Sequence, residues 1–446
     1  MKKLSFAAAL LAASAVSHLP VSAQPVPVSA QPAAFATAAQ TDPAKLGWMQ
    51  GAPPAPEKII RADGTHYSFP KSRWSFSNWR ALFPTTGLTP SGTPALLPRK
   101  LRTDIDALGF TPMGGAGSIR WDQSLGLNYT DAIIVLHKGR VVYERSFGVT
   151  RTDTPHISWS VTKSFVGLLA ETLVAEGRLD PEAQVTAIIP ELAQTGFAGA
   201  TVRQVMDMTT GIAFDENYGD PNSDISRHAL AGGMFTRPPG YKGPDGFLAF
   251  LATIGPKGKH GEVFTYRTAN TDLLGWIVAR AGGEPLAQQM QNRFWGPMGM
   301  AHPAYLHVDP VGTPFAGGGL SASVEDLARF GEMVRMNGRF NGRQIVPAAA
   351  VASIRAGADP AKFPAKTYPT LPGWSYRSQW WVAPDGSFSA RGVHGQAIWI
   401  DPGTEVVIAR VASHPLAGNV NFDPTSLPAY RAVAARLAGS RRTGGH

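Results

Sequence analysis

Ser160-Val161-Thr162-Lys163 places a hydroxyl and an amine three residues apart, so if the tetrapeptide opens a helix both side chains lie one turn apart on one face. A serine attacks an acyl carbon well only when a nearby base takes its proton, and a helix N-terminus offers backbone N–H groups to the resulting oxyanion. Lys163 starts near a pKa of about 10.4 and must lose its proton through burial or a cationic neighbour, while a tyrosine starts near about 10 and must be pushed down. Working near neutral pH takes a shift of about three units, roughly 4 kcal/mol. A helix dipole supplies only about 0.3 to 1 kcal/mol at exposed sites, so a buried lysine paired with a phenol is the more sufficient device. The best phenol is Tyr266, in the stretch from Phe264 to Trp276, where an extended piece runs into an amphipathic helix.

Other chemistries have weaker support. Ser68-Phe69-Pro70-Lys71 repeats the spacing, but a proline falls inside it and no apolar periodicity follows. His156, four residues before Ser160, reads as a turn or packing residue on the approach to the helix. The chain has no cysteine, which removes disulfides, thiolate zinc sites, iron-sulfur clusters and cysteine nucleophiles. The histidines lack metal-ligand spacing, and Gly317 to Gly319 lacks the lysine of a phosphate loop. Neither a metal nor an organic cofactor is expected.

The elements that must position Ser160 are legible around it. Ala132 to Leu136 and Val141 to Arg145 flank Lys138-Gly139-Arg140 and predict a hairpin. Phe165, Val166, Leu168, Leu169, Leu173 and Val174 recur at helical spacing up to Gly177, a natural stop, so a buried helix begins close to Ser160. Residues 180 to 310 read mainly as helices and long loops, including Val202 to Met208 and Asp272 to Ala281. Ser323-Val324-Glu325-Asp326 is a capping box opening a helix to about Asn337. Strand signals return at Gln379 to Ala383, Gly392 to Ile400 and Val406 to Val411, before a last helix from Leu427 to Leu437. Strands early and late with helices between imply one sheet completed by both chain ends and a helical lobe inserted into it.

With 446 residues, 43% hydrophobic and only 16% charged, the chain can bury a large core, which excludes a disordered chain, a coiled coil or a collagen-like repeat. Lys2 and Lys3 precede an apolar run from Leu4 to Val16, and Val21-Ser22-Ala23 offers a small-residue cleavage site; residues 1–23 read as a secretory signal peptide. Removing them lowers the formal charge from +9 to +7 by the two lysines. The remaining basic residues are scattered, which argues against a nucleic-acid partner. No later segment is apolar for long enough to span a membrane. A periplasmic or secreted protein is expected, with the oligomeric state open. Residues 24–47, rich in Pro, Ala and Gln, read as a flexible leader, and 48–114, with Trp48, Tyr67, Phe69, Trp74, Phe76, Trp79 and Phe83, as a segment wrapping the core.

The order of these pieces resembles a known superfamily. A Ser-x-x-Lys after a hairpin and a Tyr-x-polar element at Tyr266-Arg267-Thr268 are followed by Gly317-Gly318-Gly319-Leu320-Ser321-Ala322-Ser323 with Asp326-Leu327-Ala328-Arg329-Phe330, and then by Gly392-Val393-His394-Gly395-Gln396. The set looks like the serine β-lactamases and penicillin-binding proteins, within them the class C-like esterases and 6-aminohexanoate-dimer hydrolases. The resemblance spans roughly residues 115 to 435. It implies an α/β (α+β), β-lactamase-like fold: an antiparallel sheet flanked by helices, with a mainly helical lobe at about 180–310 inside a domain of 115–440.

The same resemblance implies an acyl-enzyme on Ser160, with Tyr266 as a base held anionic or poised by Lys163 and His394. Backbone N–H groups of Ser160 and of the 392–396 strand would form the oxyanion hole. Tyr218, in Phe214-Asp215-Glu216-Asn217-Tyr218, would bond the scissile amide nitrogen; Thr268, Trp380, neighbouring Trp381 and Gln396 would face substrate. The substrate implied is a small linear amide or carboxylic ester. Thr268 stands where class C β-lactamases carry Asn, and Lys366-Thr367-Tyr368 is no Lys-Thr-Gly box, so penicillin hydrolysis is secondary. The rival is an envelope protein that binds β-lactams or peptidoglycan stems without turnover.

Overall fold

Thr130–His137 and Arg140–Ser146 form the predicted hairpin, joined at Lys138 and Gly139, which take left-handed φ values of 53° and 72°. That pair of conformations matches the right-handed twist of the strands it joins, and glycine enters it without steric penalty. In this computed structural model residues 35–439 are described; the signal peptide expected over 1–23, the first part of the leader and residues 440–446 lie outside them. The hairpin is one edge of a seven-stranded antiparallel sheet. Its spatial order is Ser375–Arg377, Trp380–Val382, Phe388–Arg391, Ala397–Asp401, Val406–Ala412, Thr130–His137, Arg140–Ser146. Both chain ends therefore complete one sheet, as the strand signals suggested.

Alternation along Thr130–His137 divides the interior in two. Ala132, Ile134 and Leu136 join a core with Phe165 and Leu169 of the helix Val161–Ala175 and Phe330 of the helix Val324–Arg335. Ile133 and Val135 face the other way, onto Leu427, Tyr430 and Val433 of the last helix, Asp423–Gly439. A strand covered on both faces reads as a continuous apolar run, each fully buried aliphatic side chain contributing roughly 1.5–3 kcal/mol. Ser323 Oγ accepts from Asp326 N–H at 3.0 Å as the predicted cap, and the Asp326 carboxylate accepts from Ala301 and His302 N–H at 2.8 and 2.9 Å, tying the helix start to a neighbouring loop.

The lobe holds Val202–Met206, Asp224–Ala231, Phe247–Leu251 and Thr268–Gly282 among its helices. Four short strands form a second sheet in the order Thr85–Leu88, Ala304–His307, Leu320–Ala322, His156–Ile157, which links the N-terminal segment to the chain just before Ser160. Phe76, Trp79 and Phe83 pack there with Ile157, Trp159, Phe247 and Phe315.

Three features differ from the expectations. Part of the expected leader is structured: Asp42 caps the turn Pro43–Leu46, Thr41 is buried, and Arg73 Nη1 donates to Ala38 O at 2.8 Å. The strand expected from Gly392 to Ile400 starts only at Ala397, because His394 and Gly395 take φ of 61° and 101° and fold residues 393–395 into a 3₁₀ turn. Ser375–Arg377 and Phe388–Arg391, too short to show their own alternation, are additional strands. No described helix is long and apolar enough to cross a membrane.

Candidate active site

Ser160 is the N-cap of the helix Val161–Ala175, and Lys163 lies one turn in, so Lys163 Nζ reaches Ser160 Oγ at 3.2 Å. Trp159, just before the serine, takes a left-handed φ of 45°, a conformation that costs a bulky residue on the order of 1–3 kcal/mol. Edge-on packing against Tyr67, Phe76 and Trp79, with centroids 5.4, 5.3 and 5.0 Å away, holds it there and turns Ser160 toward the cleft.

Lys163 is fully enclosed and has three oxygen partners: Ser160 Oγ, Thr268 Oγ1 at 3.1 Å and the carbonyl of Gly317. A neutral amine has two N–H donors and one lone pair. Thr268 Oγ1 donates its own hydrogen to Glu216 Oε1 and so accepts from Lys163; with Gly317 O taking the second N–H, the lone pair is left for the Ser160 hydroxyl. Glycine at 317 is required sterically, since a Cβ would stand 2.5 Å from Thr268 Cγ2. Asp272 fixes that glycine by accepting from Gly317 N–H at 2.9 Å, and its other oxygen pairs with His228 Nε2 at 2.7 Å.

Burial brings Lys163 down to about 8 from its ordinary value near 10.5, against the opposing pull of Glu216 and Asp272. Tyr266 lines the cleft beside Ser160, and its ring lies 5.4 Å from Lys163 Nζ. Burial and the Glu216 carboxylate push the Tyr266 phenol well above its ordinary value, the nearby Ser160 side chain opposing them. Of the two candidate bases, the amine is the one moved toward its basic form at neutral pH.

Ser160, Lys163, Tyr266, Thr268 and Tyr218 thus converge. Tyr218 stands at the mouth with its hydroxyl donating to Glu216 Oε1 at 2.7 Å. Three expected residues do not join them. His394 Nε2 pairs with Tyr67 Oη at 2.9 Å and Nδ1 with His414 O at 2.6 Å, so its ring braces the wrapping segment instead of supporting Lys163 and Tyr266. Gln396 is buried, donating to Ala412 O at 2.6 Å and accepting from Ala412 N–H at 3.0 Å, which staples its turn to the sheet. Trp380 points into the core and donates Nε1–H to Ser164 O at 3.1 Å, while Trp381, on the opposite face, stacks on Tyr266 with centroids 5.6 Å apart. Glu216 is the residue the sequence reading left without a role. It also accepts from Thr268 N–H at 2.8 Å, which caps the helix Thr268–Gly282. Its signal was an acid two places before Tyr218.

The cleft has two limbs that meet at Ser160, Tyr218 and Val393. One, of about 500 Å³, lies under the wrapping segment and includes Trp79, Trp159, Met234 and Phe315. The other, of about 470 Å³, includes Tyr266, Trp381, Glu216 and Arg391. Volumes of this size suit small organic ligands.

A family model described as Beta-lactamase matches residues 129–425. The 6-aminohexanoate-dimer hydrolase of Paenarthrobacter ureafaciens is 34% identical over 349 residues, 78% of this chain and 86% of that protein. Esterase EstB of Burkholderia gladioli is 30% identical over 189 residues, 40% of this chain and 47% of the esterase. Among solved structures, a protein assigned as a 6-aminohexanoate-dimer hydrolase from Bacillus anthracis superposes with a TM-score of 0.78 at 28% identity, covering 86% of this chain and 99% of the other.

Proposed function

The chain belongs to the beta-lactamase family and is a serine hydrolase; from that premise we propose that it is an exported enzyme cleaving small linear amides or carboxylic esters through an acyl-enzyme on Ser160. The reaction of the aminohexanoate-dimer hydrolases, scission of a linear amide, is the model for the bond broken. Export rests on the signal-like residues 1–23. The observation that carries the chemistry is the buried Lys163 amine 3.2 Å from Ser160 Oγ.

Neutral Lys163 takes the hydroxyl proton as Ser160 Oγ bonds to the acyl carbon. Gly392 N–H is committed to Gln396 O at 2.9 Å and His394 N–H to Ala417 O at 3.0 Å, so the Val393 N–H between them, with that of Ser160, receives the oxyanion. When the carbon–nitrogen or carbon–oxygen bond breaks, the neutral Tyr266 phenol protonates the leaving atom, and its phenolate recovers the proton held on Lys163. This gives Tyr266 the donor role and Lys163 the base role, in place of the phenolate base expected from the sequence. A water deprotonated by the same pair then frees the acid and regenerates the serine. Tyr218 gives its hydroxyl hydrogen to Glu216, so its oxygen lone pairs remain for a donor. An amide N–H can fill that place, and an ester cannot.

Ser160→Ala in purified mature protein should abolish p-nitrophenyl ester hydrolysis, and intact mass after mixing wild type with substrate should show a transient acyl adduct on Ser160. Unchanged activity would remove Ser160 from the mechanism. A permanent adduct without product would replace the hydrolase with a non-turnover acyl trap.

A further inference from the structure

The two limbs of the cleft differ in charge. No Asp, Glu, Lys or Arg lines the limb under the wrapping segment among the described residues; its walls include Trp79, Trp159, Ile225, Leu230, Met234 and Phe315. The imidazole there, His66, is held by burial down to about 4 and is neutral at pH 7. Glu216 stands behind Thr268 and Tyr218 and lines only the other limb. Its Oε1 accepts from both of those hydroxyls and its Oε2 from Thr268 N–H. The charged lining of the cleft, Asp215, Glu216, Arg391 and Asp423, is confined to that second limb.

Which half of a substrate enters which limb follows from the proton donor. The group that protonates a leaving atom must stand beside it, and Tyr266 lines the second limb and not the first. The leaving group therefore occupies the second limb, and the acyl group, bonded to Ser160 at the junction, extends into the uncharged one. An ammonium or carboxylate carried there would lose water without gaining a counter-ion, whereas a methyl or aryl terminus gains by leaving water.

We propose that this enzyme selects substrates whose acyl half is uncharged and apolar, an alkanoyl or arylalkanoyl group of medium length, and discriminates against acyl groups ending in an ammonium or a carboxylate. The proposal rests on the acyl-enzyme reading of Ser160 and assigns the substrate class of that same site. The N-terminal segment, through Tyr67 and Trp79, builds the wall that sets this preference.

The test compares p-nitrophenyl heptanoate with p-nitrophenyl 6-aminohexanoate, chains of equal length ending in methyl and ammonium. At pH 7 the wild-type kcat/KM should favour heptanoate by about 100-fold or more; a ratio within about threefold, or the reverse preference, overturns the proposal. Leu230 is only partly buried on the limb wall, so a carboxylate there keeps contact with water. Leu230→Asp should narrow the ratio by about tenfold or more and Leu230→Asn should not; narrowing by both alike, or by neither, would count against a charge-based preference. Calorimetric binding of N-butylheptanamide and N-butyl-6-aminohexanamide to Ser160→Ala reads the limb without turnover. If wild type cleaves neither ester, the hydrolase reading fails by itself, and this binding still decides: stronger binding of the neutral amide supports the assignment, and equal binding overturns it.

Discussion

Lys163 has the amine, the burial and the hydrogen-bond geometry to accept a proton, and in the proposed mechanism it acts only when neutral. The neutral fraction grows as pH rises through about 8, so kcat/KM for a p-nitrophenyl ester should climb along a limb centred there. The Glu216 charge pulls the Lys163 value upward. Glu216→Gln removes that charge, so the limb should move to lower pH; a pH–rate profile that stays put or moves up would deny the coupling. Tyr266→Phe tests the donor role by leaving group. Nitrophenolate departs without a proton, whereas an amine does not. Loss on an unactivated amide should therefore reach roughly two to four orders of magnitude and exceed the loss on the nitrophenyl ester at least about tenfold. Equal losses on both would return the base role to the phenol.

At the scale of elements, the helix carrying Ser160 sits so close to the turn before Trp380 that a Cβ on Gly167 would lie 2.0 Å from Ser378 O. Backbone against backbone cannot relax as a side chain can, so Gly167→Ala should lower stability by at least about 1–3 kcal/mol, measured by urea unfolding. Little change would mean that helix and turn slide apart freely. The hairpin, the serine helix and the capped helix from Val324 were legible because each is specified by its own periodicity and end signals. The His394 turn was not, because its left-handed residues answer to Tyr67 and His414, far away in sequence. Trp380 and Trp381 show the same limit: period-two alternation says that one faces the core and the other the cleft, and only tertiary packing decides which. Ser160, Lys163 and Tyr266 could be read from motif and order, whereas Glu216 acts through contacts with a helix about fifty residues later, which no local pattern announces.

Across the whole molecule, His66, His307, His394 and His414 are each held by burial down to about 4. Unfolded histidines protonate near pH 6.5, so between about 6.5 and 4 the unfolded chain binds protons that the folded one refuses. Stability is therefore retained above that window and lost as pH falls through it, at up to about 1.4 kcal/mol per pH unit for each histidine. Tm should drop steeply from pH 6.5 to 4.5, and a flat profile would mean that these rings are already charged in the native state.

The uncharged limb of the cleft draws part of its wall from Tyr67 and Trp79, which precede the family match beginning at residue 129. Part of the surface that meets a substrate thus lies outside the body that carries the reactive residues. Exchanging the stretch ahead of the hairpin for another sequence would reshape that part of the wall while the atoms that make and break bonds stay as they are, so a kinship judged on the catalytic body alone gives an incomplete account of diet.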